Sequence, residues 1–369
     1  YVRADFIAKE EYCVLELHFP REVEKSPLAM EAVINGIHNQ SGESKFTARW
    51  WEGAMRPWWS FEIASIDGNV HFFIWTRKNQ KQFIESMFYA HYPDIKVVEV
   101  RDYTRDVAFN LDEMAIWGAF YQLAKPSPYP IKTYVDYKLD QGPKETEKVD
   151  PINNVVEFLA QCKKGEQIWY QIIFRVNKFE KPKPGSFFEF IDFKKECDIE
   201  IDKIYANPQK INFNEEAGTK LKSLSSSQEG DIDKIETKKS KFAFDVGIAA
   251  LYVVTDPDRF DPPKIGGIIN GFKQFSSELY NGFRPYGGNM DFDYPWQDYN
   301  DIRANRLRYK LFDGFRRRSW FYAPYRKPYF NLNTEELATL FHPVGSVLQT
   351  PTIERVESKR EGPPSNLPV

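Results

Sequence analysis

The stretch WSFEIASIDGNVHFFIWT, residues 59–76, constrains the fold more than any other part of the chain. Trp59, Phe61 and Ile63 alternate with Ser60, Glu62 and Ala64, which is the two-residue period of a strand. Asp67-Gly68 then makes a tight turn of the kind that joins antiparallel neighbours, and NVHFFIWT returns as the second strand.

The flanks extend this hairpin into a larger unit. YCVLELHF (residues 12–19) is β-rich, and KSPLAMEAVINGIHN follows with Ser26 as helix cap and Pro27 at the first helical position. Met30, Val33, Ile34 and Ile37 share one helical face. After the hairpin, NQKQFIESMFYAHYP places Phe83, Ile84, Met87 and Phe88 at helical spacing before Pro93, and IKVVEV (95–100) is a last strand. The order is β-α-β-β-α-β, a ferredoxin-like unit over residues 1–110.

A connector rich in aromatics and prolines, AIWGAFYQLAKPSPYP, is expected within 111–130. A second α+β unit is then expected over 131–278. It begins with the strand IKTYVDYKL and the helix DPINNVVEFLAQC, capped by Asp150 with Pro151 behind it. The strand EQIWYQIIFRVNK follows, then helical stretches around FKKECDIEIDKIY and GDIDKIETKKS flanking a mobile insertion near 207–228, where SLSSSQ is the best candidate. FAFDVGIAALYVVT and PPKIGGIINGFKQFSS supply a further strand and helix. The expected fold class is α+β: two ferredoxin-like units, the second with an insertion, then a helical and extended C-terminal part. Residues 279–345 hold an aromatic loop, a basic helix and a short capped helix (NLNTEELATLFHPVG), and 346–369 form an extended, proline-containing linker.

Composition removes several classes of function. A formal charge of −3 leaves polyanion binding as a local matter. Cys13, Cys162 and Cys197 are odd in number and far apart, which argues against a disulfide framework or a zinc site. No run of about 18 apolar residues spans a bilayer within the sequence. The start at Tyr1 and the linker-like finish read as a portion of a longer polypeptide. GGIINGFKQF approaches phosphate-loop spacing, but Phe272 stands where the lysine belongs and Lys273 falls one residue late; a packed helix with close-approach glycines explains it better. His18, His38, His71, His91 and His342 show no metal spacing. Asp291, Asp293, Asp298 and Asp301 lack the glycine and terminal glutamate of a calcium loop, and an ordinary solvated or helix-capping loop is favoured. No metal or cofactor is expected, and no enzyme.

The most suggestive polar feature lies within 25 residues: Arg303, Arg306, Arg308, Lys310, Arg316, Arg317, Arg318, Arg326 and Lys327, interleaved with seven aromatic rings. Guanidinium groups beside flat rings bind phosphates, bases or anionic headgroups. The plainer alternative is an amphipathic helix that buries Leu307, Leu311 and Phe315 and pairs its arginines with acidic neighbours. Trp50, Trp51, Trp58 and Trp59 crowd the entry to the hairpin and are candidates for an interface between copies.

Seven stretches together carry a resemblance: REVEKSPLAMEAVINGIHNQSGES, RPWWSFEIASIDGNVHFFIWTRK, HYPDIKVVEVRDYT, EQIWYQIIFRVNK, GFKQF, RRRSWFYAPYRKPYFNLNTEELATLFHPVG and PTIERVESKREGPPSNLP. They resemble the N-terminal region of large bacterial proteins, common in the candidate phyla radiation, in which such a domain precedes a HerA/FtsK-type ATPase of the conjugation and type IV secretion class. The resemblance implies a scaffold at the cytoplasmic side of the cell membrane, a homo-oligomer, and a downstream ATPase in the same polypeptide. An anionic lipid surface is a further expected partner, with DNA a weaker one. The alternative function is a DNA- or substrate-binding module of the same machine that uses the arginine and aromatic segment. Glu361-Gly362 reverses the Gly-Glu order of the resembled linker, and the Walker motifs of the ATPase lie outside these residues.

Overall fold

The computed structural model describes residues 2–20, 26–38, 55–141, 150–178, 181–182, 185, 189–214, 219–287, 294, 296–344 and 355–356. Helix α1 (Val2–Lys9) precedes strand β1 (Tyr12–Pro20) and helix α2 (Pro27–Ile37). The hairpin strands β2 (Trp58–Ile66) and β3 (Asn69–Arg77), helix α3 (Lys81–His91) and strand β4 (Lys96–Val100) follow. Asp67 and Gly68 both take left-handed backbones, with φ of 54° and 89°, as a two-residue turn between right-twisted strands requires. Ser26 caps α2 by accepting from the Leu28 amide, and Met30, Val33, Ile34 and Ile37 are fully buried. In space the strands run β4-β1-β3-β2 with every neighbour antiparallel. That is the order produced when each β-α-β crossover is split by a strand from the other.

The second half repeats the order. Its elements are β5 (Ala115–Leu123), α4 (Pro151–Ala160), β6 (Glu166–Val176), α5 (Phe193–Ala206), α6 (Ser226–Ser240), β7 (Ala243–Val254), α7 (Pro263–Asn270) and β8 (Phe283–Tyr286). They run β8-β5-β7-β6, again antiparallel throughout. Strands β2 and β6 then pair antiparallel from Trp58 opposite Arg175 to Ile66 opposite Gln167, joining the halves into one sheet. The opening strand of this half therefore lies in the stretch read as a connector, and IKTYVDYKL forms turns. That stretch is held from outside the sheet: the Ile131 amide donates to Glu336 and the Tyr134 amide to the Thr339 hydroxyl.

Alternation sorts the sheet into two faces. Trp59, Phe61, Ile63, Tyr170, Ile172, Phe174, Val246, Ile248 and Ala250 pack under α2, α3, α4, α7 and a later helix, α9 (Thr334–Leu340). Trp58, Ala64, Phe73, Trp75, Trp169, Ile173, Ala249 and Leu251 face the other way. They are covered by helix α8 (Ile302–Arg316) and the chain after it, up to strand β9 (Phe330–Asn333), which pairs with the start of β7. With both faces covered, the central strands lose the polar alternation of a half-exposed sheet.

Helices α5 and α6 form a satellite with its own small core of Phe193, Cys197, Ile201, Ile232 and Ile235. SLSSSQ, expected as a mobile insertion, contributes the start of α6. Ser225 and Gln228 make a reciprocal capping box, the S-x-x-Q signature of a helix start. Arg355-Val356, within the expected linker, pairs with Phe19-Pro20 of β1; the rest of 346–369 lies outside the described residues.

The arginine and aromatic segment

Helix α8 begins where the Asp298 carboxylate accepts from the Arg303 and Ala304 amides, so of the two roles expected for this acidic loop, solvated or helix-capping, Asp298 takes the second. Asp291 and Asp293 lie outside the described residues. Ala304, Leu311, Phe312 and Phe315 then turn onto the sheet. Leu307, expected in that buried set, is 41% exposed, because its position in the turn falls on the outer side with Arg303 and Arg306. The inner side comes close because the sheet is cut away beneath it. A Cβ on Gly118 would sit 2.5 Å from Leu311, and one on Gly247 would sit 2.0 Å from the Trp320 ring. Trp320 lies flat in that notch and donates its indole N–H to the Pro328 carbonyl.

Arg318 does not face solvent. It has a left-handed backbone (φ 48°) at the end of α8 and turns inward. Its Nε and Nη2 each lie 2.9 Å from the Glu62 carboxylate, and Nη1 and Nη2 reach Asp102 at 2.5 and 3.1 Å. Tyr103 donates to Glu62 at 2.8 Å and Gln171 donates to its other oxygen at 3.0 Å. Burial would push the Asp102 carboxyl up, but the Arg318 guanidinium outweighs it and holds the group below its ordinary value. Burial also opposes the Arg318 charge, and Glu62 and Asp102 together keep its pKa above the ordinary value. Arg318 is thus a structural clamp across β2, the 102–104 turn and α8, and the expectation that it contacts phosphate or lipid is corrected.

The other arginines divide. Arg317 is 59% exposed and pairs with Asp313 at 2.8 Å. Arg316 lies over the Phe312 ring at 5.5 Å. Arg303 donates to the Gln297 carbonyl and Arg308 to Asn305, while Arg306 and Arg326 are exposed. Lys327 is half-buried, its ammonium 3.6 Å from the Phe120 ring centre and 5.0 Å from Trp320. Burial pushes its pKa down to about 7.

Trp58 and Trp59 are buried in opposite cores, which leaves them no outward surface for an interface; Trp50 and Trp51 lie outside the described residues. The exposed large side chains gather elsewhere. Tyr294 and Trp296 stack at 4.8 Å, and Trp296, Tyr299 and Ile302 are 78%, 78% and 63% exposed ahead of Arg303 and Arg306. The sequence reading missed this patch because the same residues read as an ordinary aromatic loop. It missed Glu62 and Asp102 as partners of Arg318 because they lie more than 200 residues away.

Phe272, at the lysine position of the near-phosphate loop, packs in the core against Tyr121 and Tyr170. Gly267 admits the Phe158 ring, as a packed helix demands. His71 bonds Glu16 at 2.6 Å. His342 contacts the Ala338 carbonyl at 2.8 Å and the Asp150 carboxylate at 2.9 Å. Among the described residues no three His, Cys, Asp or Glu side chains are grouped to hold a metal ion, and no helix is long and apolar enough to cross a membrane.

The fold defines a mixed α+β module on one mainly antiparallel sheet. The chain belongs to the family described as a domain of unknown function, DUF8128, whose match spans residues 8–342. No curated protein matches it.

Proposed function

We propose that this chain is a non-catalytic assembly module that associates with copies of itself at the cytoplasmic face of the membrane. In the larger proteins whose N-terminal region it resembles, it would position a HerA/FtsK-type translocation ATPase of the conjugation and type IV secretion class. The observation that carries the assembly reading is the outward patch of Tyr294, Trp296, Tyr299, Ile302 and Leu307. Large rings that bury much area with few rotors dominate interface centres, and a soluble monomer gains nothing from exposing them together. Arg303, Arg306 and Lys310 beside the patch supply charge that suits anionic headgroups.

Light scattering over a range of concentrations tests this reading. The expected result is a concentration-dependent oligomer that Trp296→Ser with Ile302→Glu dissociates without loss of near-ultraviolet dichroism. A monomer at every concentration overturns it. Flotation with phosphatidylserine vesicles should fall steeply with salt if the arginines meet headgroups. The downstream ATPase is tested by the codons that follow Val369, where a phosphate-loop motif is expected.

A further inference from the structure

The opposite end of α8 closes over a cleft that the assembly reading does not use. Its volume is about 240 Å³, and it is lined by Ile7, Tyr12, Trp58, Trp75, Asp102, Arg105 and residues 316–324. The walls are rings: Tyr12 stacks on Trp75 at 4.2 Å with 12° between planes, and Trp58 lies 5.7 Å from each and 5.6 Å from Tyr322. The floor is the Arg318–Asp102 pair. At the mouth, Arg105 is 71% exposed with its nearest carboxylate, Asp102, at 4.0 Å. Arg316 forms no ion pair among the described residues.

A box of rings by itself would suit a cation as readily as a neutral flat group. Here four arginines and Asp102 line it; Asp313 offsets Arg317, and Glu62 and Asp102 more than offset Arg318, so the net positive charge that favours an anion is that of Arg105 and Arg316 at the mouth. The carbonyl end of α8 would work against an anion. The Arg318 side chain already occupies one of those carbonyls, that of Arg316. The volume is below the roughly 300–1,000 Å³ that takes a drug-sized ligand, which limits the occupant to about one ring system.

We propose that this cleft binds a nucleotide, its base packed edge-on against the cluster of Tyr12, Trp58 and Trp75 and its phosphate held at the mouth by Arg105 and Arg316. Planar guanidinium forks match phosphate oxygens, and a flat base suits a small aromatic lining. The site stands apart from the assembly patch: α8 is 15 residues long, so its two ends are about 20 Å apart. Either reading can fail without the other.

Three of the nine tryptophans line the cleft, so intrinsic fluorescence of the full chain reports on it. The probes are adenosine monophosphate, adenosine, inorganic phosphate and oligodeoxyadenylate. Saturable binding of the monophosphate is expected, with adenosine and phosphate each at least about tenfold weaker, since each lacks one half of the contact. Arg105→Gln with Arg316→Gln should weaken binding about tenfold or more and flatten its salt dependence, as loss of charge-assisted phosphate contacts requires. Both residues reach solvent, so the fold should survive; dichroism checks this. An oligomer that binds more tightly than the monophosphate identifies a nucleic-acid strand as the source, and equal affinity identifies a free nucleotide. The proposal is overturned if neither the monophosphate nor the oligodeoxyadenylate saturates, if the double variant binds as the parent does, or if an acidic aromatic peptide binds the cleft and the nucleotides do not.

Discussion

The two faces of the sheet are built on different principles. The face under α2, α3, α4, α7 and α9 is apolar at the sheet itself, with Phe61, Ile74, Ile172, Phe174 and Ile248 at its centre, while buried charge such as Lys238 with Glu336 lies off the sheet, between helices. The face under α8 carries Glu62, Gln171, Arg175 and Asp245 among its rings, all buried. Arg175 bonds Asp245 at 3.0 Å as Arg318 bonds Glu62. An apolar layer tolerates small shifts of one element over another, because dispersion and area burial are non-directional. A layer stitched by buried charges admits one position, since any shift strands a charge in a low-dielectric interior. The second face therefore fixes where α8 and the cleft at its end must sit, and the first provides most of the burial.

The largest break in this contrast is Arg318→Met. It leaves Glu62 fully buried without a counter-charge and Asp102 with Arg105 alone at 4.0 Å, and removal of one partner of such a group typically costs about 3–5 kcal/mol. Chemical denaturation should show that loss, and the triple change Glu62→Gln, Asp102→Asn, Arg318→Met should recover much of it. Equal loss in the single and triple variants would mean that the clamp acts by packing alone.

A smaller break compares two glycines. Gly247→Ala places a methyl group on the Trp320 ring beneath α8 and should destabilise by roughly 1–3 kcal/mol through overpacking. Gly266→Ala, in α7 on the apolar face, meets nothing within 4 Å and should stabilise by about 0.4–1 kcal/mol by restricting the unfolded chain. Opposite signs in the urea midpoints support the notch described for Trp320.

A pH-sensitive contact also lies on the side of the sheet under α9. His342 meets two acceptors, the Ala338 carbonyl and the Asp150 carboxylate, so both ring nitrogens donate and the imidazolium is the bound form. Burial would lower its pKa, but Asp150 and the hydrogen bonds outweigh burial and raise it above the ordinary value near 6.5. A group with a raised folded-state pKa contributes stability that is fully present below its unfolded value and is lost as pH rises through the folded one. Stability should therefore fall with pH from about 6.5 upward. His342→Gln should remove that part of the slope, as unfolding at a series of pH values would show.

Legibility followed the range of the interactions. The hairpin, the caps at Ser26 and Asp150, and the buried face of α2 are local, and their residues sit where the sequence puts them. The opening strand of the second half was hidden because AIWGAFYQL sits among prolines and its partners β7 and β8 come more than 100 residues later. IKTYVDYKL alternates like a strand but spends its amides on α9. The Ser225 box was visible in SSSQ and was outweighed by the polarity around it. The cleft was not legible at all, since Tyr12, Trp75, Arg105 and Tyr322 meet only after β1, β3 and α8 have been assembled.

The smallest effect tests the contrast within three consecutive residues. Arg316, Arg317 and Arg318 are alike in sequence, yet burial separates them by function. Arg317 pairs with Asp313 across one helical turn at 59% exposure, where water screens the attraction and holding two long side chains costs entropy. Arg317→Gln should change stability by about 0–1 kcal/mol. Tyr325 also bonds Asp313, at 2.7 Å, so the carboxylate keeps a partner after the change. A loss from Arg317→Gln as large as that from Arg318→Met would mean that the outer rim of α8 is held as tightly as its buried end. The division of the segment into a structural clamp and a solvent-facing basic rim would then be wrong. A near-zero change leaves Arg105, Arg316 and Arg317 as charge that the fold itself does not require, the condition under which a rim is available to bind something else.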